Sequence, residues 1–476
     1  MTGAADVDAV SEFCLDGEFD LGMRLQGLQP EVRERYPTRF CVVTEGAGAR
    51  VHFSAFGYSN PDMADNYAVS YFPPDRVRLV NRDSPPDIDF AGKPVLDESL
   101  RYRRLDPRRL LEELAHHPEY VDGSGDNGWL RVRYPGSPYA ARIRINEERL
   151  HELRTFAELP LRGRVETVWT WDWSDPQQPV ATLEIDRDEV FVATGTWRQL
   201  SDAAVATLWD PSNGEQPREI PGDRWPARVN MRLITLADGV YVMRGVRTGF
   251  HHIVVETDAG LVVGDAPAGW VELPQIPPAD LVPGLGISGL SQGLIDYLGQ
   301  EFAGIPVRAV ALTHVHDDHA GGARAFAASG AAVYAPAGVA AYLQQALNRP
   351  RMPTDALRPQ NAALEVTPVA TRLLLDDETR PVELLEIGRG PHVEHSLGIL
   401  EPKSGYFFQS DLHVPNSEAD EPRPDRAATE CWFARWAVAN LPQHAVVINT
   451  HTTIETPLPR LARYLESAAC QALGAG

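Results

Sequence analysis

The chain of 476 residues has little cysteine and a shortage of positive charge, and each shortage excludes something. Its four cysteines, Cys14, Cys41, Cys431 and Cys470, lie far apart, and none stands at CxxC spacing. Neither a zinc ribbon nor a thioredoxin-type motif is therefore present. In so long a chain, four scattered cysteines make no disulfide framework and read as small buried apolar residues. Lysine and arginine total 44 against 66 acidic residues, for a formal net charge of −22. Such a field repels phosphate backbones, so nucleic acid is not an expected partner. No apolar run approaches the ~18 residues that a membrane span needs. Residues 1–21 carry Asp6, Asp8, Glu12, Asp16, Glu18 and Asp20, without the basic start or apolar centre of a signal peptide. A soluble cytoplasmic protein is the expectation. There is no internal repeat and no low-complexity tract.

What is present suggests two domains. Residues 1–225 read as β-rich, with strand signals at Arg39–Thr44, Arg50–Phe56, Tyr67–Phe72 and Arg76–Val80. More follow at Trp129–Tyr134, Ala140–Ile145, Val165–Trp173, Val180–Ile185 and Glu189–Thr196. Their alternation of apolar and polar residues predicts an antiparallel sheet with one solvated face. One helix is expected at Asp106–His116, with Asp106 as N-cap and Pro107 at the first helical position. Trp169, Trp171 and Trp173 repeat with period two, so three indoles share one face. That row reads first as core packing and second as a platform for an apolar ligand. The stretch Pro211–Pro226 has the composition of a linker.

Residues 226–476 read as α/β. Apolar strands at His252–Thr257, Gly260–Gly264 and Val307–Leu312 alternate with helical segments at Gly289–Phe302, Ala320–Ser329 and Pro336–Asn348. The stretches Pro274–Gly289, Asn348–Asn361 and Asn416–Arg426 read as loops that would wall a pocket. Ten of the fourteen histidines lie beyond residue 250, most of them just past strand ends. The densest stretch is Thr313-His314-Val315-His316-Asp317-Asp318-His319-Ala320-Gly321-Gly322, directly after the strand at Val307–Leu312. His314 and His316 fall on one side of an extended segment because side chains alternate. Asp318 and His319 follow where the chain enters a helix, and they point to a neighbouring position. Asp317 reads as a spacer facing away, and Gly321 and Gly322 as residues that let the backbone turn tightly. Two adjacent metal positions result. His251 and His252 read as a polar pair at a strand end, with lining of the metal site as the alternative.

This HxHxDH pattern followed by Gly-Gly resembles the signature of the metallo-β-lactamase superfamily. The resemblance covers about residues 227–476 and implies an αββα sandwich there. It also implies that His314, His316, Asp318, His319, His392, Asp411 and His451 are metal ligands, with Asp411 bridging. Asp265, after Leu261-Val262-Val263-Gly264, matches the family's early aspartate, a structural residue that touches ligands. His395 competes with His392 for the ligand position, and His444 is an outside candidate for the last one. His413 falls on the Asp411 side if the chain stays extended, which would set it against the ligands or the substrate. His451 lies between threonines where the family has glycines, so its turn must differ.

A ligand set of imidazoles and carboxylates suits zinc, two per chain, with iron and manganese as alternatives. A bridging carboxylate allows two metals and a hydroxide between them near neutral pH. The implied activity is hydrolysis of a small carbonyl substrate (ester, lactone, thioester or amide), with Asp318 and Asp411 as catalytic residues and Asp318 passing a proton toward the leaving group. Two other functions fit the sequence: an iron-dependent oxygenase on the same fold, and a ligand-binding protein worked by the β-rich first domain. The expected partner is a small molecule, and a homodimer is compatible with the sequence.

Overall fold

The computed structural model describes residues 10–22, 33–45, 48–55, 66–72, 76–81, 91–92, 103–124, 128–134, 139–201, 218–221, 223–224, 231–247, 250–268, 287–349, 355–360, 362–375, 378–415 and 417–474. Among them, the first part of the chain forms a thirteen-stranded antiparallel sheet. Ser11–Gly22 lies inside it, between Arg33–Glu45 and Glu189–Gln199. The sequence signals missed Ser11–Gly22 because its exposed face is acidic. Phe13, Leu15 and Phe19, at every second or fourth place, are buried. They also missed Arg149–Leu159, where a register shift between Leu150 and Glu152 breaks the period-two pattern.

The helix Pro107–His116 forms as expected, and the Asp106 side chain accepts from the Arg108 N–H at its start. Trp169 and Trp171 are buried. Each stacks on the next indole, and Trp173 continues onto Trp197, with ring centroids 6.1–6.2 Å apart. The indole row is therefore core, and its buried members have no open face for a ligand. The stretch expected to be a linker is in part sheet: Arg218–Pro221 pairs with Arg76–Asn81.

The second part is built from two sheets. The first runs in the order Arg232–Ala237, Val240–Arg247, Phe250–Thr257, Gly260–Gly264, Val307–Ala311, Ala332–Pro336, Val366–Val369. The second runs Arg372–Leu375, Val382–Glu386, Leu397–Leu400, Tyr406–Phe408, Val446–Ile448, Thr456–Pro457. Alternate residues split between two cores. Ile253, Val255, Val262, Ala309 and Ala311 meet Leu384, Ile399, Phe408 and Ile448 between the sheets. Val254, Leu261, Val263 and Val310 face outward and are covered by Leu290, Leu294 and Leu298 of the helix Gly289–Glu301. Phe433, Ala434 and Ala437 of Ala427–Asn440 cover the second sheet. The result is an αββα sandwich. Gly264 faces the Phe408 ring so closely that a Cβ would lie 2.8 Å from it. Truncating a fully buried phenylalanine such as this costs about 3–5 kcal/mol.

One cysteine expectation is overturned. Among the described residues no cysteine is free. Cys14 pairs with Cys41, its cross-strand neighbour by register, and Cys431 pairs with Cys470 across two C-terminal helices. Far-apart positions in sequence become adjacent through strand pairing and helix packing, which spacing alone does not reveal.

Candidate metal centre

The strand Val307–Ala311 delivers the chain to one end of the sandwich, where Thr313–Ala320 turns into the short helix Asp317–Ala320. Two groups of donors meet there. His314, His316, His392 and Asp411 offer one atom each, all within 4.8 Å of one another. His319, Asp411 and His451 form the second group. Asp411 belongs to both: its Oδ2 lies 3.9 Å from His314 Nε2, 3.6 Å from His392 Nε2 and 3.1 Å from His319 Nε2. Its Oδ1 lies 3.1 Å from His451 Nε2. The Asp318 carboxylate is 3.6 Å from His319 Nε2. His314 Nε2 is buried and has no hydrogen-bond partner. A buried imidazole nitrogen aimed into a ring of donors fits a metal ion, because an unsatisfied buried polar atom is otherwise costly.

Protonation states fit as well. Burial first, then His316 and His319, holds His314 well below its ordinary pKa. Burial and His392 bring His316 down to about 3. Burial alone would raise Asp411, but His319 and His451 outweigh it and hold the carboxyl well below the usual range. Neutral imidazoles and an ionised carboxylate are the forms that bind metal. His319 goes the other way. Burial would lower it, but Asp411, Asp318 and Asp265 together raise it well above the ordinary value. Three carboxylates around one imidazole call for a cation, either a proton on the ring or a metal ion beside it.

Residues 286–406 match the family profile of the metallo-beta-lactamase superfamily, a span that holds His314, His316, Asp318, His319 and His392. The match lies in the carboxy-terminal half of the chain, within the αββα sandwich. Solved structures similar to the chain include a metallo-beta-lactamase from Pontibacter korlensis, at 17% identity and TM-score 0.36, covering 51% of this chain and 99% of that one. Another is from Hirschia baltica, at 17% identity and TM-score 0.35, covering 50% and 96%. A third, from Pseudomonas aeruginosa in a mono-zinc form, has 16% identity and TM-score 0.34, covering 52% and 98%. No curated protein matches the chain.

Ahead of the matched span, Asp265 is fully buried at the end of the strand Gly260–Gly264. Its Oδ1 accepts from the Thr313 N–H at 2.8 Å, and its Oδ2 lies 2.9 Å from His319 Nδ1. A carboxylate on Nδ1 fixes the tautomer and presents Nε2 to the centre. Ser410, which no sequence signal singled out, ties this together. Its Oγ lies 2.9 Å from Asp265 Oδ2, 3.1 Å from Asp411 Oδ1 and 3.0 Å from Thr450 Oγ1. Asp265 and Ser410 both have positive φ, 64° and 63°, at the ends of strands beside the site, where strained backbone tends to collect.

Other expected residues lie elsewhere. His395 sits beside Glu386, with Nδ1 3.4 Å from its Oε1, and belongs to neither donor group. His413 is fully buried, with Nε2 3.0 Å from Thr456 Oγ1 and Nδ1 3.6 Å from Glu430. It stacks on Phe433 and is closed off from solvent behind the segment after Asp411. His444 is exposed, against the Pro402 carbonyl. Asp317, read as a spacer facing away from the metals, is fully buried and belongs to neither donor group; its carbonyl accepts from the Gly321 N–H.

The two glycines serve close approach rather than an unusual turn. Their φ values, −66° and −87°, suit any residue. A Cβ on Gly321 would lie 2.5 Å from Pro160 Cβ, and one on Gly322 would lie 2.2 Å from Ser291 Oγ. The His451 turn is held by Asn449, whose Oδ1 accepts from the N–H groups of His451 and Thr452 at 2.9 and 2.7 Å. His451 is the most open of the donors, at 29% side-chain exposure, with Asp318 next at 12%.

Proposed function

We propose that residues 226–476 form a catalytic domain, following a β-rich domain of residues 1–225, and hydrolyse a small carbonyl substrate. The observation that carries this is Asp411, a buried carboxylate shared by two donor groups. His314, His316 and His392 would hold one metal with Asp411, and Asp318, His319 and His451 the other. Zinc suits these ligands. A bound metal supplies a polarising charge for a carbonyl oxygen and an ionised water near neutral pH.

The chain's own part is positional. Asp265 and Ser410 keep His319 and Asp411 aimed. The buried ring of histidines excludes bulk water from the inner side. Asp318, on the more open side, would take the proton released by the attacking water and pass it to the departing atom. The Arg426 guanidinium donates to the Asp411 carbonyl at 2.6 Å, and the Gln409 side-chain oxygen accepts from the N–H groups of Leu412 and His413. These bonds hold the segment that carries Asp411.

Among the described residues no helix is long and apolar enough to cross a membrane. Of the two kinds of compartment, the paired cysteines favour an oxidising one over the cytoplasm expected from sequence.

The test is metal content and turnover together. The protein loaded with zinc should hold two ions per chain and hydrolyse some member of a panel of lactones, thioesters, esters and β-lactams. Asp411→Ala should lose metal stoichiometry and lose at least about 100-fold in rate. Full metal content and turnover in that variant would remove Asp411 from the shared position. A single iron per chain with no hydrolysis would point to the oxidative alternative.

A further inference from the structure

Outside the donor groups, three basic side chains line up across the first sheet of the sandwich at its metal end. Register sets Arg232 opposite Arg244, and Arg244 opposite His251. Directly opposed residues on antiparallel strands project from the same face. That face is the inner one. Val255 and Ile253 alternate with His251 along one strand and lie between the sheets, and Val240, opposite Val255, lies there too.

Burial deepens along the row. Arg232 is exposed, Arg244 is half-buried, and His251 is 7% exposed. The buried end adjoins the metal centre. The His251 N–H donates to the Thr450 carbonyl at 2.7 Å, one residue before His451. The neighbouring Phe250 ring lies 4.9 Å from the His451 ring and 5.3 Å from that of His319. His251 Nδ1 is buried with no hydrogen-bond partner. Burial, then Arg244, keeps this imidazole neutral, with a pKa of about 3. In a chain of net charge −22, two guanidinium groups that lead from solvent toward a metal centre, with a neutral imidazole at the inner end, run against the overall field.

We propose that Arg244, flanked by Arg232 and His251, receives an oxyanion of the substrate and holds it beside the bond that is cleaved. Guanidinium groups match carboxylate and phosphate oxygens in pairs, and the His251 ring can complete the shell with its unpartnered nitrogen. The substrate class is thus an ester, thioester, lactone or amide bearing a negative charge. The proposal rests on the hydrolase function above.

Two measurements on the zinc-loaded full chain test it, with wild type, Arg244→Gln and Arg232→Gln compared at equal metal content. Calorimetric titration with benzoate and, separately, with inorganic phosphate asks for the subsite alone. At least one anion should bind wild type and bind about tenfold more weakly to Arg244→Gln, with a smaller loss in Arg232→Gln. The better-bound anion tells carboxylate from phosphate. Equal binding in all three proteins, or none in any, overturns the proposal.

Turnover of phenyl acetate and 4-acetoxybenzoate then asks whether the subsite serves catalysis. The charged ester should be preferred, and Arg244→Gln should remove the preference through KM. A preference that survives in the variant overturns the proposal while leaving the hydrolase function standing. If neither ester turns over, the hydrolase function is what fails for these substrates, and the titration still decides the anion site. Should Arg244→Gln melt early, the exposed Arg232→Gln carries the comparison.

Discussion

Asp265 shows how much of this centre depends on a residue that need touch no metal. Its two oxygens engage Thr313 and His319, and Ser410 joins from the far strand. Asp265→Asn isolates the charge, since asparagine tolerates the same positive φ. The variant should bind zinc about 10–100-fold more weakly, measured by competition with a chelator, while keeping its fold. Unchanged affinity would make Asp265 a packing residue only. At this scale much was legible. The histidines and aspartates of 314–319 declare themselves by type and spacing, and the distant His392, Asp411 and His451 follow from resemblance. Ser410 and Thr450 were not legible. A serine beside an aspartate is ordinary in sequence, and only the folded backbone, with φ of 63° at Ser410, turns its hydroxyl into the meeting point of Asp265, Asp411 and Thr450.

Elements were read well where side chains repeat and poorly where pairing decides. The helices at Gly289–Glu301 and Ala337–Leu347 and the buried strands around them match their patterns to within two residues. The strand Arg149–Leu159 escaped because its bulge moves side chains to the wrong face for a simple period. The disulfides escaped because a cysteine carries no mark of its partner. Cys431 and Cys470, 39 residues apart, join Ala427–Asn440 to Ala468–Gly474. Closing a loop of that length stabilises by about 2–4 kcal/mol. Cys470→Ser should therefore lose that amount of stability, read from its unfolding in denaturant. An identical midpoint in reduced and oxidised protein would show that the pairing carries no stability.

Across the whole molecule, the two halves distinguished by composition are not separate at the metal centre. Pro160–Arg162 forms the tip of the hairpin between Arg149–Leu159 and Gly163–Asp172, in the β-rich half. Leu161, with φ of 61° and no exposure, belongs to the same buried cluster as Val315, Ala320 and Ala323. Pro160 lies against Gly321. Leu161→Ala should cost about 2–5 kcal/mol and weaken zinc retention, read by calorimetry and by metal analysis after dialysis. Two independent melting transitions, only the first of them moved by the substitution, would show that the halves fold without reference to each other. The expected division at 225 describes composition, whereas this contact belongs to the fold and pairs residues more than 150 positions apart, beyond any local pattern.

That hairpin also sets an order in time. A chain made from its amino end presents Pro160 and Leu161 well before the His314–Gly322 stretch emerges. The metal-binding loop, the last of the pair to be synthesised, therefore closes onto a surface that is already standing. A metal captured early by His314 and His316 alone would lack His392, Asp411 and His451, which emerge later, so loading belongs to the end of folding rather than to its start.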